Sequence, residues 1–491
     1  MWIETVNQPA AAGGSIKPRV ERSETLGNAA KVFQARETGD RGSSVAFCRP
    51  LRGLVIIKRR NPGFHFAPPW ALRFRLLRRL IVAFLFNSIS LRLFVRLILL
   101  FSFAVSLGAT APAAFAQSKP DKDYLVYVLS EAADKISLIR FGPGGARIDH
   151  EVPTGDMPID IDGPHGIAIS HDKEFYYVSL AHGRPFGSVW KYSTRDDRVL
   201  GRTTLGLFPA TMDLSPDGSL LYVVNFNLHG DMVPSSVSVV ATEPMLEVAR
   251  IQTCAMPHGS RLNPQGTKHY SACMMDDLLV EIDTGTLKVS RHFLLTKGRE
   301  MGMSGPPVAA KTTMGSMKGP QPAANARHMD MGGHGMEPPK PGDVSCSPTW
   351  AQPSVVGSSI FVACNKSDEI VEVDAVKWKV RRRIPARPGV YNLAITKDGT
   401  RLLATNKRSQ SVSVFDLKTS RELANIPTRR RVLHGVVVSP DDRYAFVSVE
   451  GVGSEPGTVE IIDLATLKIV ASLDVAEEAA GIEFLKTEPA K

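Results

Sequence analysis

The stretch GVVVSPDDRYAFVSVE, residues 435–450, decides the fold. Its two halves carry Val, Tyr and Phe, residues that suit a pleated, half-buried strand. Between them stands Ser439-Pro440-Asp441-Asp442. That is a tight-turn composition: Pro presets φ, and an Asp side chain can hydrogen-bond the backbone two residues on. One such hairpin says little. The pattern returns, however, in GIAISHDKEFYYVSLA (166–181), TMDLSPDGSLLYVVNF (211–226), GSRLNPQGTKHYSACM (259–274) and YNLAITKDGTRLLATN (391–406). A weaker copy is QPSVVGSSIFVACN (352–365).

A third strand follows each hairpin: LLVEIDTGT (278–286), EIVEVDAVK (369–377), SVSVFDLKT (411–419) and TVEIIDLAT (458–466). The Asp closing each of these can accept hydrogen bonds from its own turn. A more polar fourth strand comes next, as in RELANIPT and KIVASLDV. Four strands at a period of roughly 40–50 residues are the mark of a β-propeller. Full units begin near residues 164, 208, 256, 347, 388 and 432. The first unit, YLVYVLSEAADKISLIRF (124–141), lacks an innermost strand, and the C-terminal AAGIEFLKT (479–487) is an inner strand with nothing after it. The expectation is an all-β, seven-bladed propeller of four-stranded blades, the last strand closing the first blade so that no sheet edge is left free.

The phrases PHGIAIS, SPDGSLLYVVN, KDGTRLLATN and SVSVFDLKT resemble the YVTN-family repeats of exported bacterial and archaeal propellers. The resemblance covers residues 124–487 and implies a ring and export, without naming a reaction. More distantly, such rings resemble the d-type-haem domain of nitrite reductases and the propeller of nitrous oxide reductase, which bind haem or copper through top-face histidines. Bacterial lactonases share a similar ring. No signature of theirs matches here, and no catalytic residue is carried over.

The formal charge of +10 belongs to the leader. Residues 1–116 carry 17 Lys+Arg against 5 Asp+Glu, whereas residues 117–491 carry 42 against 44. A basic excess confined to a leader is no nucleic-acid footprint. Arg92 and Arg96, the apolar run from Leu97 to about Leu107, and Ala114-Phe115-Ala116 match the three regions of a secretory signal. Cleavage after Ala116 is expected, giving a periplasmic or secreted chain with no stable membrane span; an uncleaved anchor is the alternative. Residues 81–116 are the signal region, 117–491 the propeller, and 1–80 a non-native or disordered extension. No methionine occurs between Met1 and Met157, so a start at a non-Met codon near residues 80–95 is expected.

Cys254, Cys273, Cys346 and Cys364 follow the same register. Each pair spans one blade, joining the approach to an inner strand with the end of the antiparallel second strand. An even count in an exported chain favours disulfides. A four-thiolate metal site joining two adjacent blades is the alternative.

Inner strands open on Pro164-His165-Gly166, Pro257-His258-Gly259 and Leu433-His434-Gly435, with Ala210, Thr349 and Val390 expected at the histidine position elsewhere. His182 and His229 follow second strands on the same face. The repeat is interrupted between blades four and five by residues 298–343, which hold HMDMGGHGM at 328–336. His328, Met329, Met331, His334 and Met336 supply imidazole and soft thioether ligands, a set that suits copper. The expected protein is a binding scaffold for copper, with the Met/His loop above a histidine rim. Its partners would be a metal ion or another periplasmic protein, and a monomer is expected. Two alternatives stay open: a lactonase-like hydrolase (Asp160, Asp162 and Asp231 as calcium ligands) or a non-covalent-haem redox protein, and an interaction ring without cofactor. Cys-x-x-Cys-His, His-Glu-x-x-His and Gly-x-Ser-x-Gly are all absent from the sequence.

Overall fold

Seven antiparallel sheets surround a central channel. The structure is a computed structural model and describes residues 119–157, 160–182, 186–307 and 344–490. Blade one is built of Ala479–Pro489, Lys122–Ser130, Lys135–Gly142 and Gly145–Pro153, in that spatial order. The inner strands of blades two to seven are Pro164–Ile169, Pro209–Leu214, Pro257–Leu262, Pro348–Pro353, Val390–Ile395 and Val432–Val438. The leader, residues 1–118, and most of the interruption, residues 308–343, lie outside the described residues, and with them the signal region and the HMDMGGHGM segment. No helix among the described residues is long and apolar enough to cross a membrane.

The turns form as their residues dictate. In four of the turns a hydroxyl two residues before an Asp meets it, as in Thr396–Asp398 at 2.6 Å and Ser439–Asp441 at 2.6 Å. The Asp closing the third strand accepts backbone N–H groups of its own turn: Asp374 from Lys377 at 2.7 Å and Asp463 from Thr466 at 2.7 Å. The cores lie between neighbouring blades. Tyr124 and Phe141 of blade one pack edge-on against Tyr444 of blade seven, each at 5.0 Å between ring centroids.

Two departures from expectation involve the interruption. Blade four has five strands, because Met301–Ser304 pairs with Lys288–Leu294. Met303 packs against the core there, so a segment without sequence alternation still forms an edge strand. Gly302 lies against Trp378 of blade five, where a side chain would collide with the indole. The interruption therefore leaves the repeat only after Ser304, and Lys297 is bridged to Val344 across its base.

Ring closure rests on the C-terminal strand, paired from Lys122↔Pro489 to Ser130↔Ala479. Buried Arg140 adds to it, donating to Asp123 at 3.1 Å and to Glu488 of the last strand at 3.0 Å. Ile482, Phe484 and Leu485 are buried. At about 1.5–3 kcal/mol for each apolar side chain, their removal costs about 5–9 kcal/mol, comparable to the whole stability of a typical domain. A chain ending at Glu478 is therefore expected to lose the cooperative thermal transition of the parent in circular dichroism; retention of a parent-like melt would show that the last strand does not close the ring.

Candidate metal centre

The inner strands carry the site, and a local irregularity aims it. Each shows a register shift near its start: Pro164/Ile167, Pro257/Ser260, Val390/Leu393 and Leu433/Val436. A bulge re-aims a side chain, and here it presents the first residue inside the shift at the channel mouth. The following Gly permits close packing: at Gly166 a Cβ would meet the Ala210 carbonyl, and at Gly259 the Thr349 carbonyl.

His165, His258 and His434 converge from blades two, four and seven. Ring centroids are 5.2 Å apart for His165–His434, 6.1 Å for His165–His258 and 6.4 Å for His258–His434. All three are buried, at 6 %, 0 % and 5 % exposure, and one ring nitrogen of each lies within 4.8 Å of the others. Among the described residues no other group of His, Cys, Asp and Glu could hold a metal. Three nitrogens at about 2.0–2.1 Å from one ion stand about 3.5 Å apart. Each ring must thus move inward by at most about 0.8 Å, a side-chain adjustment.

Hydrogen bonds orient the rings. His258 Nδ1 donates to the Thr349 carbonyl at 3.0 Å, leaving Nε2 as the acceptor of the Tyr391 hydroxyl at 2.9 Å. His165 Nδ1 meets Glu131 Oε2 at 2.7 Å, and its Nε2 is buried without a partner. Backbone carbonyl and carboxylate partners of this kind fix the ring of a metal-bound histidine and bare its other nitrogen. His434 Nδ1 is likewise buried without a partner. Burial, then the charge of His165, pushes His258 down to about 3. Burial, then Lys407, holds His434 well below the usual imidazole range. Both are thus neutral at pH 7, the form that binds metal. Burial raises the Glu131 carboxyl, but the charges and hydrogen bonds of His165 and His182 outweigh it and hold Glu131 at about 2.

The structure sorts the sequence candidates. His182 sits outside the triad, its Nε2 2.9 Å from Glu131 Oε1, and exposed His229 lies 5.5 Å from it between ring centroids. Among the described residues, Asp160, Asp162 and Asp231 do not join a group of three ligands close enough to share a metal. The expected Val390 is a correction. Val390 pairs with Asn406 as Pro164 pairs with Leu180, so the residue equivalent to His165 is Tyr391. Blade six opens on Gly389-Val390-Tyr391-Asn392, which lacks the Pro-His-Gly landmark and slipped by one residue. Tyr391 occupies the wide three-blade gap between His258 and His434, 5.3 Å from each ring, with the Lys407 ammonium 3.9 Å above its face. Glu131, in the blade-one turn, carried no sequence signal.

Both expected disulfides form, Cys254–Cys273 and Cys346–Cys364. The four sulfurs are therefore not available as a thiolate site. Cys254 lies just before His258, and Cys346 just before Thr349, so the bridges brace both ends of the His258–Thr349 hydrogen bond.

No family model matches the chain, and no curated protein matches it. Among solved structures it is similar to a Lactobacillus plantarum protein at 13 % identity and TM-score 0.53, covering 74 % of this chain and 100 % of that one. It is also similar to a periplasmic gluconolactonase of Pseudomonas aeruginosa at 13 % identity and TM-score 0.52, covering 74 % and 99 %. At these identities the likeness is one of fold.

The neutral imidazoles set an acid sensitivity. An unfolded histidine titrates near about 6.5. His258, at about 3 when folded, takes up a proton only in the unfolded chain between those values. The unfolded state binds more protons there, so stability falls as pH drops from about 6.5 toward 3, and His434 acts in the same sense. Glu131 adds to the loss below about 4.5, where its depressed carboxylate begins to lose its advantage. His182 opposes them: its Glu131 hydrogen bond raises it, so its contribution is present below about 6.5 and lost above its raised value. Two fully buried rings outweigh one half-buried ring. Metal-free protein is expected to melt lower at pH 5 than at pH 7.5, with a smaller drop in a His258→Gln variant. Identical pH slopes for the two proteins would contradict a neutral His258.

Proposed function

We propose that this chain is an exported metal-binding propeller whose His165, His258 and His434 hold a copper ion at the mouth of the channel. The convergence of three buried imidazoles, two with unpartnered ring nitrogens, carries the reading. Leaving bare polar atoms in a core is costly, at about 1–3 kcal/mol each, and a ligand removes that cost. Neutral imidazole suits several divalent metals, among which copper binds most strongly. The sequence adds His328, Met329, Met331, His334 and Met336, whose thioethers favour Cu(I). Two disulfides favour an oxidising compartment, in keeping with the signal read at residues 81–116.

The metal would take His258 Nε2, the nitrogen now accepting from Tyr391, so that the hydroxyl turns toward the ion or its ligand. Glu131 holds His165 in place and supplies a nearby negative charge. Three imidazoles without a fourth protein ligand leave a position open.

Purified protein is expected to bind one copper ion at the propeller in competition with a chelator. His165→Ala, His258→Ala and His434→Ala should each weaken it at least tenfold. Met329, Met331 and Met336 changed together to Leu should weaken Cu(I) more than Cu(II), since the sulfurs prefer the reduced ion. Copper binding unchanged in the triple histidine variant would refute the triad; binding unchanged in the methionine variant would remove the loop from the site.

A further inference from the structure

Beside the triad lies a cavity of about 30 Å³, with room for roughly two or three waters. His165 and His434 line it. Asn392, the residue after Tyr391, lines its wall, and the Asn392 side-chain oxygen is buried with no hydrogen-bond partner. Asn392 is 4 % exposed, so this is a polar atom withheld from bulk water. Most of the remaining wall is apolar, including Ile167, Met212 and Ile482.

Arg261 reaches the same cavity. Its guanidinium lies over the Trp350 ring at 4.6 Å and donates to the Ser260 carbonyl at 2.9 Å. No ion pair ties it up among the described residues. Asp213 and Glu483 are close enough to feel its charge, yet neither lines the cavity.

We infer that this cavity is the binding place of a small anion of two to four atoms, which takes the open coordination position of the metal with one end and meets the Asn392 amide and Arg261 with the other. The inference deepens the three-histidine metal reading and rests on it. Glu131, on His165, supplies one negative charge against the two of a divalent ion, and a buried uncompensated charge is costly, so an anionic fourth ligand is favoured. The two unpartnered atoms, His165 Nε2 and Asn392 Oδ1, belong to residues that line one cavity with Arg261 at its wall. The amide can present its NH2 group to the anion by a simple flip about its last bond. A cavity of about 30 Å³ suits a small anion better than a five-membered ring.

The test uses Cu(II)-loaded full-length protein titrated with sodium azide, and separately with imidazole, followed by the azide-to-copper charge-transfer band and by electron paramagnetic resonance. Azide is expected to saturate at one per copper, and imidazole at equal concentration to leave the copper signal unchanged. Asn392→Leu, loaded to the same copper occupancy, should bind azide at least tenfold more weakly. Absence of an azide band on copper-loaded parent protein overturns the inference and leaves the metal reading standing. Equal effects of azide and imidazole, or parent-like azide affinity in a folded Asn392→Leu protein, overturn it as well. If that variant does not fold, the azide–imidazole comparison on the parent decides alone. Failure of the parent to take up copper removes the metal reading and this inference together.

Discussion

The structure depends on how neighbouring blades are tied together at the channel mouth. Ser179 donates to the Ala210 carbonyl at 2.8 Å, Thr349 to that of Tyr391 at 2.7 Å, Thr405 to that of His434 at 3.2 Å and Ser448 to that of Ala480 at 2.5 Å; Thr211 does the same to His258. These hydroxyls bind the backbone of the residues that form the site. At the junction of blades four and five the second strand has Ala272, with no hydroxyl to offer, where blades two, six and seven have Ser179, Thr405 and Ser448. There His258 Nδ1 donates to the Thr349 carbonyl in its place. One histidine therefore serves both as a structural tie and as a site residue, and the tie sets which nitrogen faces the channel.

Burial then decides the chemistry. The rim outside the triad holds His182 on Glu131, where a carboxylate favours the protonated ring. One layer inward, desolvation reverses the preference and keeps His258 and His434 neutral. Neutral imidazoles need lose no proton before they coordinate, and His258 has only to release the Tyr391 hydroxyl from Nε2. Glu131 spans the two layers, holding His165 with one oxygen and His182 with the other. The two disulfides stand beside the inner strands that His258 joins, so the bridges also help to hold the site in shape.

The ring was legible because its instructions are local and repeated. A Ser-Pro-Asp turn, an alternating strand and a closing Asp each act within a few residues, and the incomplete first and last units declare the closure. The site was legible only where a landmark marked it. Pro-His-Gly marks His165 and His258, whereas Tyr391 has no such mark, and spacing alone points one residue off, to Val390. Glu131 reaches His165 through packing of neighbouring blades, and Thr349 takes part through its backbone carbonyl. Neither leaves a trace in residue type or spacing. The fifth strand of blade four was invisible for a related reason, since Met301–Ser304 is held by an existing edge rather than by its own alternation.

The central claim is that three imidazoles from three blades close on one ion. A crystal of copper-loaded protein measured on both sides of the copper absorption edge tests it most directly. A single strong anomalous peak is expected within coordination distance, about 2.0–2.1 Å, of a ring nitrogen of each of His165, His258 and His434. An ion bound elsewhere on the ring, with these three rings still apart, would contradict it.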